Sequence, residues 1–333
     1  MSLQNNAIAV LGAGSWGTAL AIVLARKGQV VKLWDQDQSL LAEIARDRQN
    51  QRYIPGVDLP DNILVCRDVN QLFENTQDIL MVVPSHAFSK ALQGIKPFLT
   101  QQHRIVWATK GLDPNGEFLH HVAERELGMD RPYAMLSGPS FAKEVAIGLP
   151  TAVMIASKNN QFKQDLVTRF HYGPFRVYTT DDLVGVQFSA VVKNVLAVAV
   201  GISDGIELGA NARAALITRG LAEMMRLGEA LGAKRDTLMG LAGCGDVILT
   251  CTDNQSRNRR FGLALAKGLN QEQALLEIGQ VVEAVYNVEQ LYRLAQKQGI
   301  DLPIAEQVFK IMKEGISPRE ALDSLLSRPP KSE

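Results

Sequence analysis

Hydrophobic positions fall into two regimes along the chain. Up to about residue 180, short β-branched runs alternate with longer stretches in which apolar side chains recur every three to four residues. That alternation is the signature of parallel strands joined by crossover helices. The runs predict strands over 7–11, 30–34, 63–66, 78–83, 104–108, 133–136, 151–156 and 175–178, several of them apolar throughout, as strands covered on both faces must be. Segments 18–27, 38–49 and 117–127 carry helical spacing between them. Beyond about residue 181 the strand pattern stops, and 184–202, 212–231, 259–267, 271–278, 282–298 and 305–313 all read as helices. The expected fold is therefore α/β: a doubly wound, Rossmann-type sheet domain over 1–181, followed by an all-helical domain over 182–333. The Pro-Pro-Lys-Ser-Glu end is expected to fray.

Composition narrows the picture. The 333 residues are 46% hydrophobic and 21% charged, enough to bury full-sized cores and inconsistent with a disordered chain. Thirty-five basic residues against 35 acidic ones give no net charge, which removes the global argument for a nucleic-acid partner but allows a local cationic pocket. Cys66, Cys244 and Cys251 form no CxxC pair, and His86, His103, His120, His121 and His171 show no zinc spacing, so neither disulfides nor a metal is expected. The opening segment MSLQNNAIAVLGAG has no basic n-region or cleavage site, and a cytoplasmic location is expected.

The segment AIAVLGAGSWGTALAIVLARKG places Gly12, Gly14 and Gly17 in GxGxxG spacing, after a strand and at the start of a helix. In that setting the first glycine makes the tight turn, the second lets a pyrophosphate approach the backbone, and the third lets helix and strand pack closely. Free N–H groups near Ser15 and Trp16 then face phosphate. At the end of the second strand, Asp35 stands where an acidic residue takes the ribose 2′-OH of NAD, with Gln36 beside it; Asp35 or Asp37 as a simple helix cap is the competing reading. Three further strand ends, at Ser85-His86, Thr109-Lys110-Gly111 and Gly138-Pro139-Ser140, face the same crevice, and Lys110 must place its charge there.

One charged residue, Lys193, interrupts the apolar stretch VGVQFSAVVKNVLAVAVGI. The stretch is just long enough to span a membrane, but Gln187, Lys193 and Asn194 favour a buried central helix. Desolvation lowers a lysine's pKa toward the range of proton transfer, which makes Lys193 a general acid/base candidate; a snorkelling or structurally paired lysine is the alternative. Farther on, Asp246 follows a glycine-rich turn, and Ser256-Arg257-Asn258 precede a helix. A hydroxyl, a guanidinium and an amide at a helix start form a plausible phosphate cradle, with Arg259 and Arg260 read as a solvated face.

Taken together, GAGSWGTALA, PSHAF, WATKGL, SGPSFAKE, AVVKNVLAVAVGISDG, NARAALITRGLAEM, GLAGCGDVILTCT, SRNRRFG and GQVVE resemble the bacterial NAD(P)-dependent glycerol-3-phosphate dehydrogenases, in order from Gly12 to Glu283. The resemblance implies a site between the two domains and reversible interconversion of dihydroxyacetone phosphate and sn-glycerol 3-phosphate, which feeds glycerophospholipid synthesis. It further implies NAD(H) and/or NADP(H) as cofactor. By position, Lys193 matches the catalytic acid/base, with Lys110 and Asp246 as its partners in catalysis. Lys110, Gly138, Ser140, Lys193, Asp246, Ser256, Arg257 and Asn258 match substrate positions, while Ser15, Trp16, Lys110, Ala142, Arg257, Val281 and Glu283 match cofactor positions. Asn194 and Thr250 match polar residues lining the same site. Asp35-Gln36-Asp37 departs from the basic residue or histidine that often meets a 2′-phosphate there, so NADH and NADPH both stay open. The expected partner is a small phosphorylated molecule, with no nucleic acid, no membrane span and a homodimer as the candidate assembly. Another β-hydroxyacid-type dehydrogenase and a non-catalytic dinucleotide sensor are the alternatives.

Overall fold

The computed structural model describes residues 7–329; of the end expected to fray, 329–333, all but Pro329 lies outside them. Ten strands form: β1 (Ala7–Leu11), β2 (Val31–Trp34), β3 (Gln49–Asn50), β4 (Ile54–Asp58), β5 (Ile63–Val65), β6 (Thr76–Met81), β7 (Arg104–Trp107), β8 (Tyr133–Ser137), β9 (Thr151–Ala156) and β10 (Phe175–Thr180). Eight of them make one sheet in the order β10-β9-β8-β7-β6-β1-β2-β5. The chain winds outward from β1 through β2 to β5, then returns to β6 on the other flank of β1. The order thus reverses between β1 and β6, and the crevice beyond their carboxyl ends is where such sheets bind ligands.

The expected strands are all present, but the sheet is not wholly parallel. β8 and β9 pair antiparallel, Leu136 opposite Ile155, while β9 and β10 run parallel to each other. The connection explains the reversal: its one helix, Ala142–Ile147, spans roughly 9 Å at helical rise, about half the length of β8 at strand rise, so the chain re-enters the sheet from the end at which it left. The two-stranded β3·β4 hairpin was not expected, because Ile54-Pro55-Gly56 breaks the alternation of apolar and polar positions that marks a strand.

Between Leu183 and Leu326 every element is a helix. The Leu183–Gly205 helix runs through the middle of this region with its apolar face buried all round. It is long and apolar enough to cross a membrane by composition, but 89% of that stretch is buried inside the protein, which makes it a core helix. Its N-terminal half joins the sheet's core, Leu183, Val186 and Ala190 packing with Trp107, Phe88 and Met135. Its C-terminal half crosses the Arg257–Ala266 helix backbone to backbone: a Cβ on Gly201 would lie 2.2 Å from the Arg259 carbonyl oxygen, and one on Gly262 2.2 Å from that of Val198. That close crossing carries Asn258 to the side chain of Asn194.

Candidate active site

The dinucleotide loop follows β1. Gly12 adopts φ +108°, and a Cβ there would sit 2.3 Å from the Val82 carbonyl oxygen, so the turn is pressed against the end of β6. A Cβ on Gly17 would meet the Gly12 carbonyl oxygen at 1.8 Å, whereas one on Gly14 would meet nothing within 4 Å. Two glycines therefore serve packing, and the third leaves the approach to the helix N-terminus open. The Ser15–Arg26 helix has no side-chain cap and no acid in its first turn, so its leading N–H groups suit a phosphate. This donor set fits the pyrophosphate of a dinucleotide.

The hairpin holds this loop from the side. The Asn50 amide donates to the Ala13 carbonyl (2.7 Å) and to Thr18 Oγ1 (2.8 Å), and Ser15 Oγ donates to the Tyr53 carbonyl (3.3 Å). Sequence reasoning missed all three contacts, since the hairpin that supplies Asn50 and Tyr53 carries no strand periodicity. Asp35 accepts the Ala13 N–H (2.7 Å) and the Asp37 N–H (3.0 Å), clasping the glycine loop to the end of β2. Asp37 is the helix cap, accepting from the Ser39 and Leu40 N–H groups. Gln36 is exposed. Trp16 and Ala142, on facing helix starts, pack partly buried against one core cluster.

Beyond β7, β8 and the central helix, three charged groups meet. Asp246 is buried (1% exposed) and offers one carboxylate oxygen to Lys193 Nζ (3.1 Å) and the other to Lys110 Nζ (2.8 Å). Lys193 Nζ also donates to Thr250 Oγ1 (3.1 Å), and Lys110 Nζ to the Gly138 carbonyl (3.1 Å). Burial pulls the Lys193 ammonium down to about 8, with Lys110 adding to the effect and the Asp246 carboxylate opposing it. Burial pushes the Asp246 carboxyl up, yet the adjacent Lys110 and Lys193 charges prevail and hold it below the ordinary carboxylate value. The alternative of a snorkelling Lys193 is set aside by its burial and partners; it is a buried, paired lysine whose proton is held loosely.

The third wall comes from the helical region. Ser256 caps the Arg257–Ala266 helix, accepting the Arg259 N–H through Oγ (3.2 Å). Asn258 donates to the Asn194 side chain (2.8 Å) and accepts the Ala284 N–H (3.1 Å), tying the central helix to the segment after Glu283. Arg257 is exposed at the first turn, with no hydrogen bond or ion pair among the described residues. Arg259 departs from the expected solvated face: it is buried and bonded to Asp204 (2.5 Å) and to the Cys251 carbonyl (3.0 Å), while Arg260 is exposed. Ser140 Oγ donates to the Gly138 carbonyl (2.9 Å). Across the crevice, Ser85 donates its hydroxyl to Glu283 (2.7 Å) and its N–H to the same carboxylate (3.4 Å), and His86 stacks on Tyr286 at 4.5 Å. Burial pushes the Glu283 carboxyl up, against those hydrogen bonds and Arg257. Val281, two residues away, is exposed. The Ser85 contact was legible only as a polar residue at a strand end. Among the described residues, no three His, Cys, Asp or Glu side chains gather as a metal site.

Two family models match the chain: the N-terminus of NAD-dependent glycerol-3-phosphate dehydrogenase over 7–163 and its C-terminus over 182–323. A glycerol-3-phosphate dehydrogenase [NAD(P)+] from Pseudoalteromonas translucida is 53% identical and one from Mannheimia succiniciproducens 50% identical, each aligned over the whole of both chains. The crystal structure of glycerol-3-phosphate dehydrogenase from Coxiella burnetii superposes with a TM-score of 0.94 at 51% identity, covering 97% of this chain and 99% of that one. With both halves matched and full-length relatives at half identity, the chain belongs to the NAD-dependent glycerol-3-phosphate dehydrogenase family.

Proposed function

We propose that the cleft between the sheet domain, 1–181, and the helical domain, 182–333, reduces dihydroxyacetone phosphate to sn-glycerol 3-phosphate reversibly, with Lys193 as the proton donor. The carrying observation is the Lys193–Asp246–Lys110 arrangement: a buried ammonium brought down to about 8, held by a carboxylate that a second ammonium keeps ionised. In the NAD(P)-dependent reaction the nicotinamide, when bound, supplies the hydride to C2 of the substrate. Gly12, Gly14, Ser15, Trp16 and Gly17 would hold the pyrophosphate end, and Ala142, Val281 and Glu283 would line the rest of the cofactor's path.

The protein's own residues do the remaining work. Lys193, protonated, gives its proton to the oxygen on C2 as negative charge develops there, and neutral Lys193 takes the proton back in the oxidative direction. Lys110 places a second positive charge against that oxygen. Asp246 orients both ammonium groups, and Thr250 takes a second Lys193 N–H, which leaves the third for the oxygen on C2. Arg257 binds the substrate phosphate, with Asn258 and Ser256 setting where the guanidinium sits; Gly138 and Ser140 form the opposite wall. Positioning a small charged substrate in this way supplies the larger part of what the protein contributes.

Membership of the family sets aside a carboxylate-specific hydroxyacid dehydrogenase and a non-catalytic sensor. A cytoplasmic enzyme supplying glycerol 3-phosphate to glycerophospholipid synthesis is the role this chemistry fits. The test is oxidation of reduced cofactor by the purified protein with dihydroxyacetone phosphate, with the product identified as sn-glycerol 3-phosphate. Turnover with a 2-keto acid in place of the phosphorylated ketone would overturn the reading.

A further inference from the structure

Asp35 follows the end of β2, the place where a Rossmann-type sheet meets the adenosine ribose, and Arg52 reaches Asp37, two residues farther on, at 3.0 Å. Asp35 is fixed by the Ala13 N–H at 2.7 Å and the Asp37 N–H at 3.0 Å. Arg52, on the β3·β4 hairpin beside Tyr53, is the cation of this corner, and it is already spent. Its Nε and Nη2 donate to both oxygens of Glu43 (2.8 and 2.5 Å), Nη2 also donates to Ser39 Oγ (2.9 Å), and Nη1 donates to Asp37 (3.0 Å). Four of the five guanidinium N–H groups are taken, two of them in a bidentate grip on one carboxylate. The neighbouring cations are engaged elsewhere: Arg46 pairs with Asp47, and Arg48 donates to the Ile63 and Pro60 carbonyls. Two carboxylates, Asp37 and Glu43, thus hold one guanidinium, and a third, Asp35, accepts the Asp37 N–H beside them.

Resting on the dehydrogenase reading above, we propose that this corner selects NADH over NADPH, with Glu43 acting as a positioning residue that withholds Arg52 from a 2′-phosphate. A ribose 2′-hydroxyl can donate to a carboxylate, whereas a 2′-phosphate meets net negative charge and a guanidinium with one N–H left. Selection is therefore made by two elements, the β2 end and the hairpin, and not by Asp35 alone.

Dissociation constants for NADH and NADPH, measured by nucleotide fluorescence and calorimetry without substrate, test this independently of catalysis. The wild-type protein should bind NADH at least ~10-fold more tightly than NADPH, the scale of a lost charge-assisted contact. Glu43→Gln, which does not touch the glycine loop, should narrow that ratio ~3-fold or more by freeing Arg52, and Glu43→Gln/Arg52→Ala should restore it. Asp35→Ser should narrow the ratio separately. Equal wild-type affinities would overturn the proposal. So would an Arg52→Ala protein that loses NADPH affinity alone, since Arg52 would then already serve the phosphate. If the ratio behaves as stated but dihydroxyacetone phosphate is not reduced with either cofactor, the functional reading fails and the cofactor selection stands.

Discussion

Lys193 and Asp246 meet at 3.1 Å in the buried floor of the cleft, and the same carboxylate reaches Lys110 at 2.8 Å on its other oxygen. A lone buried ammonium would be neutral at physiological pH, and a lone buried carboxyl would be protonated. Here each charge is retained because the others are present. Lys193 comes out poised at about 8, near enough to neutrality to give and take a proton.

Lys193→Ala removes the proposed proton donor and leaves the binding walls in place. We expect kcat for dihydroxyacetone phosphate reduction to fall at least ~100-fold with a smaller change in KM, as for loss of a general acid. Steady-state kinetics with saturating reduced cofactor check this, with Lys193→Arg as the charge-keeping control. Near-normal turnover in Lys193→Ala would sink the assignment.

The pH profile follows from the same group. Reduction needs protonated Lys193, so kcat/KM for dihydroxyacetone phosphate should hold below about 8 and decline as pH rises through it. Oxidation of glycerol 3-phosphate needs the neutral amine and should rise through the same range. Asp246 opposes the lowering of Lys193. Asp246→Asn should therefore move both limbs to lower pH; a shift to higher pH would contradict the charge relationship.

Much of this was legible in the residues. The eight main strands and the long helices announce themselves because burial imposes a period on their side chains. The glycine loop is readable because Gly12, Gly14 and Gly17 follow a strand and open a helix. Lys193 stands out because one charge in an apolar helix needs an explanation. The rest depends on contacts between residues far apart in sequence. Nothing local says that Asn50 will hold Ala13, that Glu283 will take the Ser85 hydroxyl, or that Arg259 will turn inward to Asp204 while Arg257 beside it faces out. The antiparallel β8·β9 pairing was likewise hidden, because a strand run looks the same in either direction.

That inward turn of Arg259 makes a stability prediction. Asp204 pairs with Arg259 (2.5 Å) and with Arg213 (2.9 Å), tying the end of the central helix to the start of the helix that carries Arg257. Removing Asp204 leaves the Arg259 guanidinium largely buried without its carboxylate. Asp204→Ala should destabilise the fold by ~3–5 kcal/mol, the cost of breaking a buried pair from one side. Urea unfolding measures it; a loss below ~1 kcal/mol would mean the pair behaves as an exposed one.

Arg257 is the opposite case, a guanidinium at the first turn of its helix with no hydrogen bond or ion pair among the described residues. Its neighbours are all engaged: Ser256 caps the helix, and Asn258 bridges Asn194 and the Ala284 N–H. A cation kept free at a rigid position is suited to a bidentate anion, and the substrate's phosphate is the anion the reaction provides. The phosphate is remote from the reacting carbon and keeps its charge from ground state to transition state, so its contact contributes uniform binding. Arg257→Ala should accordingly raise the KM for dihydroxyacetone phosphate ~100-fold and leave kcat within a few-fold. Arg257→Lys, retaining charge but not the planar fork, should fall between the two. Inorganic phosphate, as a competitive inhibitor against dihydroxyacetone phosphate, should weaken in the same order. An Arg257→Ala enzyme with an unchanged KM but a reduced kcat would transfer Arg257 from binding the phosphate to assisting the chemistry.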